Sequence, residues 1–156
     1  MRLKKIIKLF KNGGVCVVGQ RGRGKDLLMS NVVVRRGVSY VSNIDYTQDE
    51  TYIPYRYADI DIGNSFRNFA EGALVPYTYP YGDGVDIYLS DAGVYFPSQY
   101  NEQLNKLYST LPSFFALSRH IGDCSVHFNA QNLNRVWDKI RGKALPCRYN
   151  FVTCHK

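Results

Sequence analysis

Eight residues, Gly19-Gln20-Arg21-Gly22-Arg23-Gly24-Lys25-Asp26, carry the most recognisable chemistry in the chain. Their spacing, Gly19-x4-Gly24-Lys25, is that of a Walker A loop. Glycines let the backbone curl so that successive N–H groups converge on phosphate oxygens. The start of the following helix adds partial positive charge, and the lysine reaches the β- and γ-phosphates. Gly19, Gln20, Arg21, Gly22, Arg23, Gly24, Lys25, Asp26 and Leu27 are therefore the candidate ATP-binding residues. The position after the lysine, ordinarily a Ser or Thr that holds Mg²⁺, is Asp26. A carboxylate can also ligate Mg²⁺, but it sets a negative charge beside the phosphates. A second acid, Asp91, closes the run Val85-Asp86-Ile87-Tyr88-Leu89-Ser90, as a metal-holding acid closes a Walker B strand. Asp26 and Asp91 are the candidate Mg²⁺ ligands.

These residues need a scaffold, and the flanking pattern predicts one. Gly14 to Val18 is a short apolar run that reads as a buried strand, and Leu27 to Arg36 reads as a helix that Gly37 stops. Strand, glycine-rich loop and helix together give the Walker A spacing its meaning. Further strands are expected at 38–45, 85–91, 124–131 and 149–154. Asn43 and Asp45 fall at the C-terminal end of the first of these, the edge at which open α/β sheets bind ligands. Leu104, Leu107, Leu111, Phe114, Phe115 and Leu117 recur at helical spacing across 101–120, with Pro112 marking a kink or a restart. A short polar helix is expected over 133–142, and one or two helical turns over 65–71. Residues 46–84 form a variable region with two tyrosine-proline clusters, 52–57 and 77–82, read as loops that pack on the sheet edge rather than as base-stacking platforms.

A chain of 156 residues suffices for one domain with a core, and 45% hydrophobic and 21% charged residues are ordinary for a soluble globular protein. The formal net charge of +7 favours nucleic acid, an anionic membrane surface or nucleotide phosphates as partners. Four cysteines occur without a CxxC pair, and Cys16 and Cys124 sit in or beside apolar runs, which suits free thiols in a reducing compartment. His120, Cys124, His127, Cys147, Cys154 and His155 match no zinc-ligand spacing. No apolar stretch is long enough to span a bilayer. Residues 1–12 read as a basic amphipathic helix, expected to pack its apolar face on its own domain rather than on an anionic membrane.

Taken together, the residues resemble the ATPase domain of the zonula occludens toxin-like, filamentous-phage assembly proteins, which belong to the FtsK/HerA-type P-loop ATPases. The resemblance rests on the loop Gly19 to Asp26, on Ser42-Asn43-Ile44 closing a strand, and on Asp91 leading to the pair Phe96-Pro97. It rests also on the Arg119-His120-x-Gly122-Asp123 turn before a strand that ends in Gln131, and on Arg141 about ten residues later. It implies a P-loop NTPase fold of three α/β/α layers around a mainly parallel sheet. It implies Mg-ATP binding and a part in extruding or packaging a single-stranded DNA virion. By position, Lys25 matches the phosphate lysine, Asp91 the metal acid and Gln131 the polar sensor. Arg119 and Arg141 match phosphate-contacting arginines, including contacts made across a subunit boundary.

The same resemblance implies a homo-oligomeric ring, contact with single-stranded DNA or a DNA-coat complex, and work in the host cytoplasm at the inner-membrane face, on the membrane or with a membrane-anchored phage partner. Three departures stand out. Asp26 replaces the hydroxyl residue, and Ala92 stands where the family has the glutamate that polarises the attacking water. The family continues into a transmembrane helix, whereas this sequence ends at Lys156. The leading reading is a phage assembly or packaging ATPase. A nucleotide-binding switch or scaffold with little hydrolysis, and a DNA-binding module with a vestigial P-loop, are its alternatives.

Overall fold

The computed structural model describes residues 3–63, 71–72, 77–98, 110–138, 140 and 150–154. The helix turns expected over 65–70, the first part of the 101–120 helix, Arg141 and Cys147 lie outside them. Six short strands form one sheet: β1 (Val15–Val18), β2 (Tyr40–Ser42), β3 (Tyr52–Pro54), β4 (Ile87–Leu89), β5 (Val126–Ala130) and β6 (Asn150–Thr153). Their order is β3-β2-β4-β5-β1-β6, and every pairing among them is parallel. The central register sets Cys16 beside Phe128, and Phe128 beside Leu89. Parallel strands need crossovers, so helices cover both faces and the strands themselves are apolar.

The two-residue side-chain period of a strand divides the core into two layers. Val15, Val17, Tyr40 and Tyr88 face one side, where Ile6 and Phe10 of α1 (Leu3–Asn12) and Met29, Val32 and Val33 of α2 (Lys25–Arg36) cover them. Cys16, Val41, Ile87, Leu89, Val126 and Phe128 face the other side, against Leu111, Phe114 and Phe115 of a helix at Leu111–Gly122. The short helices α3 (Tyr57–Ile60) and α4 (Ala92–Tyr95) lie between, so Leu111–Gly122 is α5. The result is a three-layer α/β/α P-loop fold. In α1, Phe10 is fully buried with its ring 4.8 Å from that of His127, while Lys4, Lys5, Lys8 and Lys11 stay exposed.

Several elements are shorter than the sequence pattern suggests, and each has a local cause. The strand read over 38–45 stops at Ser42. There the Ser42 hydroxyl takes the Ile44 N–H, and the Asp45 carboxylate takes those of Thr47 and Gln48, which turns the chain. Within 46–84, read as loop, Tyr52–Pro54 pairs with β2 as an edge strand, a position that tolerates Pro54. Pro112 lies in the first turn of α5, where a missing N–H costs nothing, and residues 99–109, just before that turn, lie outside the described ones.

The polar helix expected over 133–142 is only a 3₁₀ turn, Leu133–Arg135. Beyond it Val136 is buried and bridges antiparallel to Pro97, and the Trp137 N–H donates to Phe96 O at 2.7 Å. The Phe96-Pro97 pair thus draws the chain out of helix.

The tyrosine clusters are packing elements. Tyr79 is buried, and its hydroxyl donates to Val85 O at 2.6 Å; Tyr77 and Tyr81 donate to Asp59. The Tyr79 ring presses on Gly122, where a Cβ would stand only 2.4 Å from ring carbon Cδ1. That contact explains the glycine in the Arg119-His120-x-Gly122-Asp123 turn, and Asp123 follows in the left-handed region at φ 45°.

At the N-terminal edge of the sheet lies a buried polar cluster. His127, drawn into the zinc comparison above, is fully occupied here: its Nδ1 accepts from the Val15 N–H at 3.1 Å, so the proton sits on Nε2, which faces Asp86. Arg36 donates to Asp86 and to the Tyr88 hydroxyl, and the Ser125 N–H donates to Asp86. Burial holds the His127 imidazole below its ordinary pKa, against the pull of Asp86. Burial also works to raise the Asp86 pKa, but the hydrogen bonds from His127, Arg36 and Ser125 outweigh it and leave the carboxyl below its usual value.

Two outcomes follow from this packing. Gly122→Ala forces the Tyr79 ring to move and costs about 1–3 kcal/mol in chemical denaturation. On the pH side, unfolded His127 takes up a proton near the ordinary imidazole pKa of 6.5 while folded His127 does not. Stability therefore falls as pH drops below that value, by up to ~1.4 kcal/mol per pH unit from this residue. Asp86 adds a further loss only below the ordinary carboxyl pKa of 3.8, as the pH falls through the depressed folded pKa. His127→Asn flattens the loss that sets in below pH 6.5; an unchanged pH profile in that variant contradicts the assignment.

Candidate nucleotide-binding site

Parallel strands place their C-terminal ends along one edge, and the loop Gly19–Gly24 leaves that edge from β1. The loop is anchored at its start, where the Gly19 N–H donates to Ala130 O at 3.2 Å. It turns through Gly22 (φ 77°) and Gly24 (φ 79°), left-handed conformations that favour glycine. Arg23 N–H and the Lys25 ammonium both donate to Gln20 O, at 3.3 and 3.2 Å, so the lysine folds back across its own loop. Lys25 is 6% exposed although it begins a surface helix. Arg23 Nη1 is buried without a hydrogen-bond partner among the described residues. A buried, unpaired guanidinium nitrogen beside a lysine and a helix N-terminus fits a polyphosphate anion. Arg21 and Leu27 face solvent.

The acid after the lysine is held from two directions. Asp26 Oδ1 accepts from the Ser90 hydroxyl at 2.6 Å and from Asn129 Nδ2 at 2.7 Å. Ser90, which follows β4, is itself clamped: Asn43 accepts its N–H at 2.8 Å and donates to its carbonyl at 3.0 Å. Asn129 in turn accepts the Asp91 N–H at 2.8 Å. Burial raises the Tyr46 phenol pKa, and the Asp26 charge adds to this, so the phenol next to this cluster stays protonated. Asp26 Oδ2 has no hydrogen-bond partner among the described residues, and the residue as a whole is exposed. One carboxylate with a free oxygen, hydroxyl and amide oxygens nearby, and a phosphate-binding loop form an all-oxygen donor set that fits Mg²⁺ bound together with phosphates.

This geometry changes the expected register by one residue. The group that meets Asp26 is Ser90, not Asp91. Asp91 points to a different, solvent-open place, in the left-handed region at φ 52° and ψ 51°. Ala92, expected at the position of a water-polarising acid, is fully buried in the core and faces no solvent. Asp91 and Gln131 line one small cleft of about 100 Å³ together with Asn132 and Arg135. That volume holds a few waters rather than a nucleotide.

Because β5 lies between β1 and β4, Gln131 at its end stands between the loop and the acid. Arg119 lies elsewhere. It pairs with Asp123 at 3.7 Å and borders Asn12–Gly14 and Ser125, at the opposite edge of the sheet from the loop of its own chain. The expected phosphate contact from Arg119 is not made within one chain. Ser90, Asn129 and Arg135 are site residues that the sequence pattern did not single out; a polar Ser90 and Asn129 at the ends of otherwise apolar strands were the available signal.

Fold and loop together define the class, a P-loop NTPase fold. No protein-family model matches the sequence, and no curated protein sequence matches it significantly. Among solved structures, the chain is similar to the genome-packaging NTPase B204 of Sulfolobus turreted icosahedral virus 2. In complex with sulfate that protein aligns at 14% identity and a TM-score of 0.49, over 82% of this chain and 69% of the other. In complex with ATP-γS it aligns at 15% identity and a TM-score of 0.47, over 83% and 71%.

Asn129 is the testable centre of the arrangement. Asn129→Ala leaves the Asp91 N–H without its partner and Asp26 Oδ1 with the Ser90 hydroxyl alone, and costs about 1–3 kcal/mol in chemical unfolding. Asn129→Asp sets a second carboxylate against Asp26, and its extra destabilisation shrinks as the pH is lowered toward 4.

Proposed function

We propose that the chain binds ATP with Mg²⁺ at Gly19–Leu27 and hydrolyses it to move or package a viral genome. The observation that carries nucleotide binding is the glycine loop with Lys25 folded over it, Arg23 Nη1 buried and unpaired, and Asp26 tied to Ser90 just past the end of β4. In such a site the protein positions the phosphates and stabilises charge rather than forming covalent intermediates. Lys25 exchanges its contact with Gln20 O for phosphate oxygens, Arg23 Nη1 gains a partner there, and the N–H groups of the loop orient the chain of phosphates. Bound Mg²⁺ would neutralise charge that develops on the transferred phosphoryl group. Gln131, which follows β5 between the loop and Asp91, is the polar residue proposed to contact the γ-phosphate.

The genome-moving role, with single-stranded DNA as the cargo, is supported by the sequence resemblance through Phe96-Pro97 and the Arg119–Asp123 turn, and by the net charge of +7. Arg119, remote from the loop of its own chain, suits a contact with the nucleotide of a neighbouring subunit, so the working form is proposed to be a ring. Among the described residues no helix is long and apolar enough to cross a membrane. The exposed lysines of α1 suit contact with an anionic lipid surface at the inner-membrane face.

Lys25→Ala tests the nucleotide site. It weakens ATP binding by roughly tenfold to a hundredfold, the scale of one or two charge-assisted contacts, while the unfolding midpoint stays close to wild type. Titration of a fluorescent ATP analogue, paired with a thermal melt, measures both. Equal affinity in the two proteins removes the reading.

A further inference from the structure

The contact between Asp26 and Ser90 has an arrangement of its own. In P-loop enzymes Mg²⁺ is held by a hydroxyl residue after the loop lysine and by a carboxylate at the end of the acid strand. Here the residue after the lysine is the carboxylate, Asp26, and the strand-end residue that meets it is the hydroxyl, Ser90, with 2.6 Å between Oδ1 and Oγ. We propose that Asp26 and Ser90 have exchanged these two roles, and that Asp91, released from the metal, is the acid that faces the attacking water. This rests on the reading of the loop as an ATP site.

Three observations carry it. The pair is built rather than incidental: Asn43 fixes the Ser90 backbone on both sides, and Asn129 holds Asp26 and the Asp91 N–H with one side chain. The Ser90 hydroxyl donates to Asp26 and accepts from Asn129 Nδ2 at 3.3 Å, so one lone pair of its oxygen and Asp26 Oδ2 remain as oxygen ligands, directly or through water. Total charge is conserved by the exchange, one carboxylate and one hydroxyl, which explains how a carboxylate is tolerated beside the phosphates.

Asp91 then has a separate task. Its backbone sits in a left-handed conformation rare for a residue with a side chain, held there by Asn129, and its carboxylate opens to solvent in the cleft shared with Gln131 and Arg135. In hydrolysis the water oxygen bonds to the γ-phosphorus and the bond from that phosphorus to the bridging oxygen breaks. ADP leaves with the electron pair, and the water proton passes to Asp91 and then to phosphate or solvent.

The test is a cycle of Asp26→Ser, Ser90→Asp and the double variant, read as affinity for ATP-γS with Mg²⁺ and with chelator, and by Mn²⁺ binding in electron paramagnetic resonance. Each single change reduces the gain in affinity that Mg²⁺ provides by about tenfold or more, the scale of one charge-assisted contact. The double variant, with the roles returned to the usual order, recovers that gain to within a few-fold. Asp26→Asn, which keeps size and fold, raises affinity in chelator and lowers it in Mg²⁺. Asp91→Asn leaves the Mg²⁺-dependent gain unchanged and lowers kcat by about 10²–10⁴-fold without a matching change in KM.

Additive losses in the double variant, or Asp91→Asn abolishing Mn²⁺ binding, overturn the exchange. If wild type binds no nucleotide, the ATP reading fails and the exchange with it. If wild type binds and Lys25→Ala does not, a failed cycle removes the exchange alone. Should Ser90→Asp fail to fold, Asp26→Asn decides: equal affinity to wild type in both Mg²⁺ and chelator overturns the proposal.

Discussion

The amide of Asn129 is the joint on which the functional edge depends. It binds the first helical turn after the phosphate loop, through Asp26, and the first residue beyond Ser90 on the acid strand, through the Asp91 N–H. These segments are more than sixty residues apart in sequence, and neither has a strong local reason to stop where it does. An amide has both a donor and an acceptor, which is why it can serve a carboxylate and a backbone N–H at once. The bridge works only because β5 lies between β1 and β4, so that a side chain near its end reaches both neighbours.

One strand supplies the chemistry at both edges. His127 and Asn129 are two residues apart, so the strand period sends both to the face covered by α1 and α2. His127 meets Phe10 and Asp86 near the N-terminal edge; Asn129 meets Met29, Asp26 and Ser90 near the C-terminal edge. The buried polar groups of β5 are thus partnered at both ends, as a low-dielectric interior demands. The lower cluster is saturated by fixed partners and holds α2, through Arg36, to the sheet. In the upper cluster Asp26 keeps an oxygen free among the described residues, and Asp91 faces solvent. That contrast separates a group that stabilises the fold from one available to a ligand.

The motifs that make the sequence resemble phage assembly ATPases have different physical duties in this molecule. The Phe96-Pro97 pair holds the chain after β5 by a bridge to Val136 and by the hydrogen bond from Trp137, which sets Arg135 beside Asp91. Gly122 gives the Tyr79 ring its place. These are positioning and packing roles. They support the site from outside it, and a mutation there acts on the site only through the frame.

The strand, turn and helix around Gly19–Lys25 are legible in the sequence alone, because glycine spacing, a lysine and an apolar strand before it are local features. The sequence also determined the α/β class, the approximate positions of five of the six strands and the stop at Gly37, since hydrophobic runs and helix-ending glycines act over a few residues. It pointed to tyrosines that pack rather than stack bases. It did not determine where the acid strand turns. Asp91 reads as the strand-end acid because it is the charged residue after an apolar run, yet the strand ends earlier, at Leu89, where Asn43 takes the backbone of Ser90. Nor could it show that Arg119 stands at the far edge, or that residues 136–137 extend to meet Phe96-Pro97 instead of continuing a helix. Each of these is decided by a side chain or backbone group that arrives from a distant segment, and such partners exist only once the sheet has set its strand order.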